Sequence, residues 1–164
     1  FDLTKISLEF MTQANAPVES PSLPATSGEE LSIQSFRGTP LVLYFYPRDN
    51  TPGCTTEGQA FRDLYSEFKT LGCAVVGVSR DSVKTHENFK AKQAFPFELI
   101  ADSDETLCRQ FDVIKEKNMY GKKVMGIERS TFLIDAEGKI AREWRKVKVP
   151  GHAEEVLEAV RELS

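Results

Sequence analysis

Residues 41–57 read LVLYFYPRDNTPGCTTE. Leu41–Tyr46 is an unbroken apolar run of aliphatic and aromatic side chains, the pattern of a strand buried on both faces. Pro47 stops it, and a polar turn follows. Thr51-Pro52-Gly53 then opens a helix. Pro52 suits the first helical position, where its missing N–H costs nothing, and Thr51 before it is a candidate N-cap. Cys54 falls in that helix's first turn. The stretch therefore reads strand, turn, helix, with a thiol at the helix start.

That placement suits chemistry better than packing. The thiolate is the nucleophile, and a free cysteine titrates near ~8.5, so only about 3% is thiolate at pH 7. The unpaired N–H groups and positive dipole end of a helix N-terminus favour an anion. Gly53 leaves room for a ligand to approach the backbone, and Arg48 adds positive charge nearby. A buried structural cysteine is the commonest fate of a free thiol, but the sequence neighbours here are Pro, Gly, Thr and Glu.

Working outward, Pro17, Pro21, Pro24, Ser27 and Gly28 punctuate an irregular entry that holds a short hairpin. Leu31, Ile33 and Phe36 are expected core contacts before a turn at Gly38–Pro40. From Cys54 to about Lys69, the spacing of Phe61, Leu64, Tyr65 and Phe68 is helical, and Gly72 ends that helix. Cys73–Ser79 reads as a buried strand, Ser82–Ala91 as a helix and Phe97–Ile100 as a short strand. Ser103–Gln110 reads as a helix with an acidic first turn, followed by a loop at Asn118–Gly121. Arg129–Asp135 is a strand, and Asp135–Gly138 turns into Lys139–Trp144 as a hairpin. His152–Leu163 closes the chain as an amphipathic helix with Val156, Leu157 and Val160 on one face. Strand–helix alternation followed by a hairpin implies an α/β mixed sheet with helices on both faces.

Composition sets outer limits. At 164 residues the chain is one domain by the simplest reading. A net charge of −4 argues against nucleic acid or anionic membranes as partners. The basic cluster Arg142–Lys148 reads as a strand with a solvated face. No apolar run approaches the ~20 residues of a membrane span. Three cysteines are too few for a secreted disulfide framework, which points to a reducing, cytoplasmic setting. The two histidines, His86 and His152, lie far apart without zinc spacing and read as surface helix residues. No metal, flavin or nucleotide site is expected, so no cofactor. Residues 1–14 lack a secretory h-region and read as an N-terminal extension, a processed leader remnant or a cloning feature, ahead of a domain over 15–164.

Pro47, Thr51 and Cys54 stand in the P-x-x-x-T-x-x-C spacing of peroxiredoxins. The fuller string FYPRDNTPGCTTE resembles the bacterioferritin-comigratory, or peroxiredoxin Q, subfamily. The likeness continues through GVSRDSVKTHENFKAKQAFPFELIAD, FDVIKEKNMYG, IERSTFLID and WRKVKVPGH, from about Pro17 onward. It implies the thioredoxin-like fold. It also implies a thiol peroxidase in which Cys54 attacks the O–O bond of hydrogen peroxide or an organic hydroperoxide. By the same match, Pro47 shields the pocket and the Thr51 hydroxyl holds sulfur and peroxide oxygen. Arg129 favours the thiolate and polarises the peroxide, and Glu57 orients Arg129.

The chain departs from the family where the sulfenic acid is resolved. Many members carry a second cysteine five residues after the first, where Gln59 stands here. Others carry it in a segment like NFCAKQ, which reads NFKAKQ here, with Lys90 at that position. The expectation is a one-cysteine cycle closed by an external thiol: thioredoxin, or glutathione with glutaredoxin. Resolution by Cys108 or Cys73 is the alternative. Two further classes stay open: a Cys–His hydrolase, and a non-catalytic thioredoxin-fold redox adaptor. The subfamily favours a monomer, although some relatives dimerise, and a bacterial cytosolic enzyme is the natural setting.

Overall fold

Leu41–Phe45 forms β3, the centre of a five-stranded sheet whose other strands are β4 (Ala74–Ser79), β5 (Glu98–Ala101), β8 (Ser130–Ile134) and β9 (Ile140–Trp144). These come from a computed structural model that describes residues 16–163. The extension read over 1–14 lies outside them. The strand order is β5-β4-β3-β8-β9. β3, β4 and β5 run parallel, while β8 and β9 run antiparallel to their neighbours. This is the mixed sheet of the thioredoxin-like fold. The N-terminal hairpin is present as β1 (Leu23–Pro24) and β2 (Glu30–Leu31).

Every residue of β3 is buried. Its alternate side chains feed two cores, as period-2 geometry requires. Val42 and Tyr44 join Phe61 and Phe68 of α1 (Pro52–Thr70), Phe89 of α2 (Val83–Gln93), and Val156, Leu157 and Val160 of α4 (His152–Leu163). Leu41, Leu43 and Phe45 join Ile33, Phe132 and Leu107 on the other face, where the short helix α3 (Thr106–Gln110) lies.

α1 ends as its sequence suggests. Gly72 takes φ +71°, its N–H donates to Lys69 O, and the Cys73 N–H donates to Phe68 O, a Schellman closure. Gly58 is required for packing: a Cβ there would lie 2.4 Å from the Phe95 ring.

Three expectations are corrected. α3 starts at Thr106 rather than Ser103, and its first turn holds no acid. Glu105 sits left-handed at φ 62°, and the Asp102 carboxylate instead accepts the N–H groups of Leu107 and Cys108. The loop at Asn118–Gly121 is the tip of a β-hairpin formed by β6 (Ile114–Met119) and β7 (Lys122–Ile127). Tyr120 and Gly121 both have positive φ there, the twist a tight hairpin turn needs. Its arms carry four lysines, at 115, 117, 122 and 123, and most of β7 is exposed, so no alternating apolar pattern marks them. Finally, both histidines are buried rather than on the surface.

His152 opens α4 with 4% exposure. Its Nε2 lies 2.8 Å from Thr131 Oγ1, and Phe61 and Trp144 meet its ring edge-on. Burial pushes its pKa down from 6.5 to about 4, against the opposing charge of Glu155. The unfolded chain therefore takes up this proton first, so the stabilisation is present above about pH 6.5 and lost as pH falls through about 4. We expect this residue to cost up to about 3 kcal/mol over that window. His152→Gln should flatten this part of the acid limb, read by urea unfolding of both proteins at neutral and acid pH.

Candidate active site

The β3–β8 register decides where the site forms. Phe45 pairs with Ser130, so Arg129 enters its strand beside the point where the chain leaves β3 for the Pro47–Thr51 loop. α1 begins at Pro52, with Thr51 at the N-cap position. Thr51 caps by backbone alone: its C=O accepts the Thr55 N–H, while its hydroxyl donates to Arg48 O at 2.9 Å. Asn50 turns the loop with φ 64°. Pro47 is half-buried, and Arg48 points to solvent.

Cys54 is 2% exposed and packs within the α1-side core. Its sequence neighbours are polar, but its neighbours in space are largely apolar. A charged group distinguishes it from an ordinary core thiol. Arg129 Nη2 donates to Cys54 Sγ at 3.4 Å, and Nη1 donates to Glu57 Oε1 at 2.6 Å. Glu57 lies one turn along the helix from Cys54, so one face of α1 carries both groups. Gly53 keeps the approach open, since a Cβ there would stand 3.1 Å from Arg129 Nη2.

The electrostatics follow from burial. Burial pushes Glu57 up to about 7, against the pull of Arg129. Its Oε2 is buried without a hydrogen-bond partner. Burial also opposes the charge on Arg129, but Glu57 and Cys54 outweigh it and hold the guanidinium more firmly protonated than usual. A fixed cation thus stands between a carboxylate and the sulfur.

The other thiols lack such a partner. Burial raises Cys73 to about 12. Cys108 is raised further, by burial and by the Asp102 carboxylate beside it. Neither histidine serves the sulfur. His86 places Nδ1 on Asp49 and Nε2 on Ile100 O, while His152 Nε2 is held by Thr131. The Cys–His arrangement is therefore not formed.

The family model of the AhpC/TSA family matches residues 14–143. The chain belongs to the AhpC/TSA family. Within it, the chain is a peroxiredoxin of the Q or Bcp type, a thiol-dependent peroxidase. Peroxiredoxin Bcp of Xanthomonas campestris is 58% identical over 139 residues, covering 85% of this chain and 87% of that one. Peroxiredoxin Bcp of Bacillus subtilis is 48% identical over 142 residues, covering 87% and 90%. The structure of a cysteine-to-serine variant of Xanthomonas campestris peroxiredoxin Q superposes with a TM-score of 0.86 at 52% identity, covering 92% and 99% of the two chains. Peroxidoxin BcpB of Mycobacterium tuberculosis gives a TM-score of 0.80 at 31% identity, covering 92% and 97%.

The two positions at which the subfamily resemblance implies a resolving cysteine carry structural bonds here. Gln59 Nε2 donates to Gln93 Oε1 at 2.9 Å, joining α1 to α2. Lys90 Nζ bonds Glu98 at 2.8 Å and Ser27 Oγ at 2.9 Å. A groove lined by Pro52, Gly53, Thr56, Ala60, Val149 and Pro150 opens beside the first turn of α1. Among the described residues, no helix is long and apolar enough to cross a membrane.

Glu57→Gln keeps an acceptor for Arg129 but removes the carboxylate charge. We expect the reaction of Cys54 with hydrogen peroxide to slow about tenfold, the scale of losing one charge-assisted orienting contact. Single-turnover stopped-flow measurement of the reduced protein reads this directly.

Proposed function

We propose that the chain reduces hydrogen peroxide and organic hydroperoxides at Cys54 in a one-cysteine cycle closed by an external thiol. The observation that carries this reading is the 3.4 Å contact between Arg129 Nη2 and Cys54 Sγ, backed by Glu57. A guanidinium at that distance donates to the sulfur and can also stabilise the charge that develops on a peroxide oxygen.

The sulfur attacks one peroxide oxygen and the O–O bond breaks. The other oxygen leaves as water or an alcohol after taking up a proton, and Cys54 is left as a sulfenic acid. Thr51 spends its only hydroxyl hydrogen on Arg48 O, so its lone pairs are left to accept the peroxide O–H. Pro47 shields the loop side of the pocket. The groove beside Pro52 supports organic as well as inorganic peroxides. A structure of Xanthomonas campestris Bcp is described in terms of alkyl peroxide reduction.

The geometry favours an external thiol over an internal disulfide. Its partners need Cα atoms within about 7 Å. Cys73 follows the far end of α1, which has 19 residues; at ~1.5 Å per residue it lies about 25 Å from Cys54. Cys108 belongs to the core on the opposite face of the sheet. A thiol reductant, thioredoxin or glutathione with glutaredoxin, therefore regenerates Cys54 after the first turn of α1 opens to expose it. One chain supplies every proposed group, so a monomer suffices.

Reduced protein given one equivalent of hydrogen peroxide, with no other thiol present, should gain one oxygen mapped to Cys54. Loss of two hydrogens within a monomer would sink the one-cysteine cycle. Cys54→Ser should abolish peroxide consumption, whereas Cys73→Ser and Cys108→Ser should each retain turnover with a supplied thiol.

A further inference from the structure

Asp49 sits in the loop that delivers Cys54, yet its side chain turns inward and is 4% exposed. Oδ1 accepts the Tyr46 hydroxyl at 2.5 Å, and Oδ2 lies 2.7 Å from Nδ1 of His86, which is fully buried. The Asp49 N–H donates to Asp81 Oδ2 at 2.9 Å, and the Ser79 hydroxyl donates to the same oxygen at 2.5 Å. His86 Nε2 lies 2.9 Å from Ile100 O. This network ties the β3–α1 loop to α2 and to the carboxyl ends of β4 and β5.

Both Asp49 oxygens and both His86 nitrogens are engaged. A carbonyl oxygen has no proton to give, so His86 Nε2 must donate to Ile100. A proton therefore lies between Nδ1 and the Asp49 carboxylate. Ligand atoms of Asp49, Asp81 and His86 lie within 4.8 Å of one another, but each is already committed to a partner inside the network. The arrangement is a clamp rather than an ion site.

Stability alone is a poor reason for such a group. A buried acid–base pair loses solvation, and well-packed apolar residues in its place are often as stable. Its position supplies a different reason. Asp49 anchors the loop from below, Asn50 turns it with φ 64°, and the Thr51 hydroxyl folds back on Arg48 O. Cys54 follows within one helical turn.

We propose that the Asp49–His86 pair is a positioning device for the peroxide step. It sets the Pro47–Gly53 loop so that Thr51 and the first turn of α1 converge on the sulfur of Cys54. Neither residue touches the reacting atoms. This inference rests on the peroxidase reading above.

The test compares two rates at Cys54 in each variant: single-turnover reaction with hydrogen peroxide, and alkylation by iodoacetamide mapped by mass. Alkylation needs the nucleophile and the opening of the first turn of α1, but not the convergence of Thr51 on the sulfur. Asp49→Ala and His86→Ala should slow the peroxide reaction about ten- to hundredfold, the scale of an ångström of misplacement. Alkylation should fall no more than about threefold below wild type, and rises if the loosened loop opens more often, because the sulfur and Arg129 remain. Asp49→Asn should restore the peroxide rate to within about threefold, since its amide can donate to Nδ1 and its carbonyl can accept Tyr46. If the alanine variants do not fold by circular dichroism, Asp81→Ala, at a half-buried site, should slow peroxide about tenfold on the same logic. Peroxide and alkylation rates falling in parallel, or an unchanged peroxide rate in a folded variant, would overturn the positioning role. The wild-type rate is a separate check: reaction no faster than a free thiol would overturn the peroxidase reading itself.

Discussion

One pairing register puts a cation against the sulfur. β3 and β8 run antiparallel with Phe45 opposite Ser130, so Arg129 and Cys54 meet although 75 positions apart in the chain. A slip of one residue would send Arg129 to the opposite face of the sheet. Hydrophobic patterning gives little protection against that slip, because both faces of β3 are apolar. Shape does the selecting. Phe45 meets Phe132 edge-on with ring centroids 5.7 Å apart, while Tyr44 stacks on Phe61 of α1 at 4.7 Å. Exchanging the faces would place each ring where the other's partner is missing.

The same burial that makes the cation effective makes the site costly to form. In a low dielectric, charges attract strongly but lose their hydration. Arg129 tolerates burial because it is shared between two groups that favour its charge. Glu57 tolerates it less well: its carboxyl is pushed up to about 7, and one oxygen has no hydrogen-bond partner. The Glu57 carboxylate holds the guanidinium in place but also draws part of its field away from the sulfur. Orientation and field strength thus trade against each other at one carboxyl group.

The elements with strong periodicity were legible in the sequence: β3, α1 with its glycine stop, the β8–β9 hairpin and α4. So was the placement of Cys54 in the first turn of a helix, because Pro52 and Thr51 mark a helix start whatever the rest of the chain does. The β6–β7 hairpin was not legible, since its mostly exposed, lysine-rich arms carry no apolar alternation. The start of α3 was obscured because its cap is Asp102 acting from outside the helix, not an acid within the first turn. His86 and His152 were misread for a related reason. Each is a polar residue on a helix, and the groups that make its burial tolerable, Asp49 and Thr131, lie 37 and 21 positions away. Convergence of that kind is a property of topology, and no local window contains it. The whole of α1 and β4 lies between Asp49 and His86.

The substitutions at Gln59 and Lys90 fit this picture of a fixed frame. A resolving cysteine at position 59 or 90 is useful only if α1 or α2 can rearrange to bring it to Cys54. Here Gln59 bonds Gln93 across the two helices, and Lys90 ties α2 to Glu98 of β5 and to Ser27. α2 also carries His86, which reaches the Cys54 loop through Asp49. On the proposed cycle, a helix released from bringing a second thiol is free to be bonded at several points. Those bonds then serve the loop that it holds. On that cycle, motion is needed only in the first turn of α1, where Cys54 must become accessible to an external thiol. The bonds that hold α2 lie outside that turn.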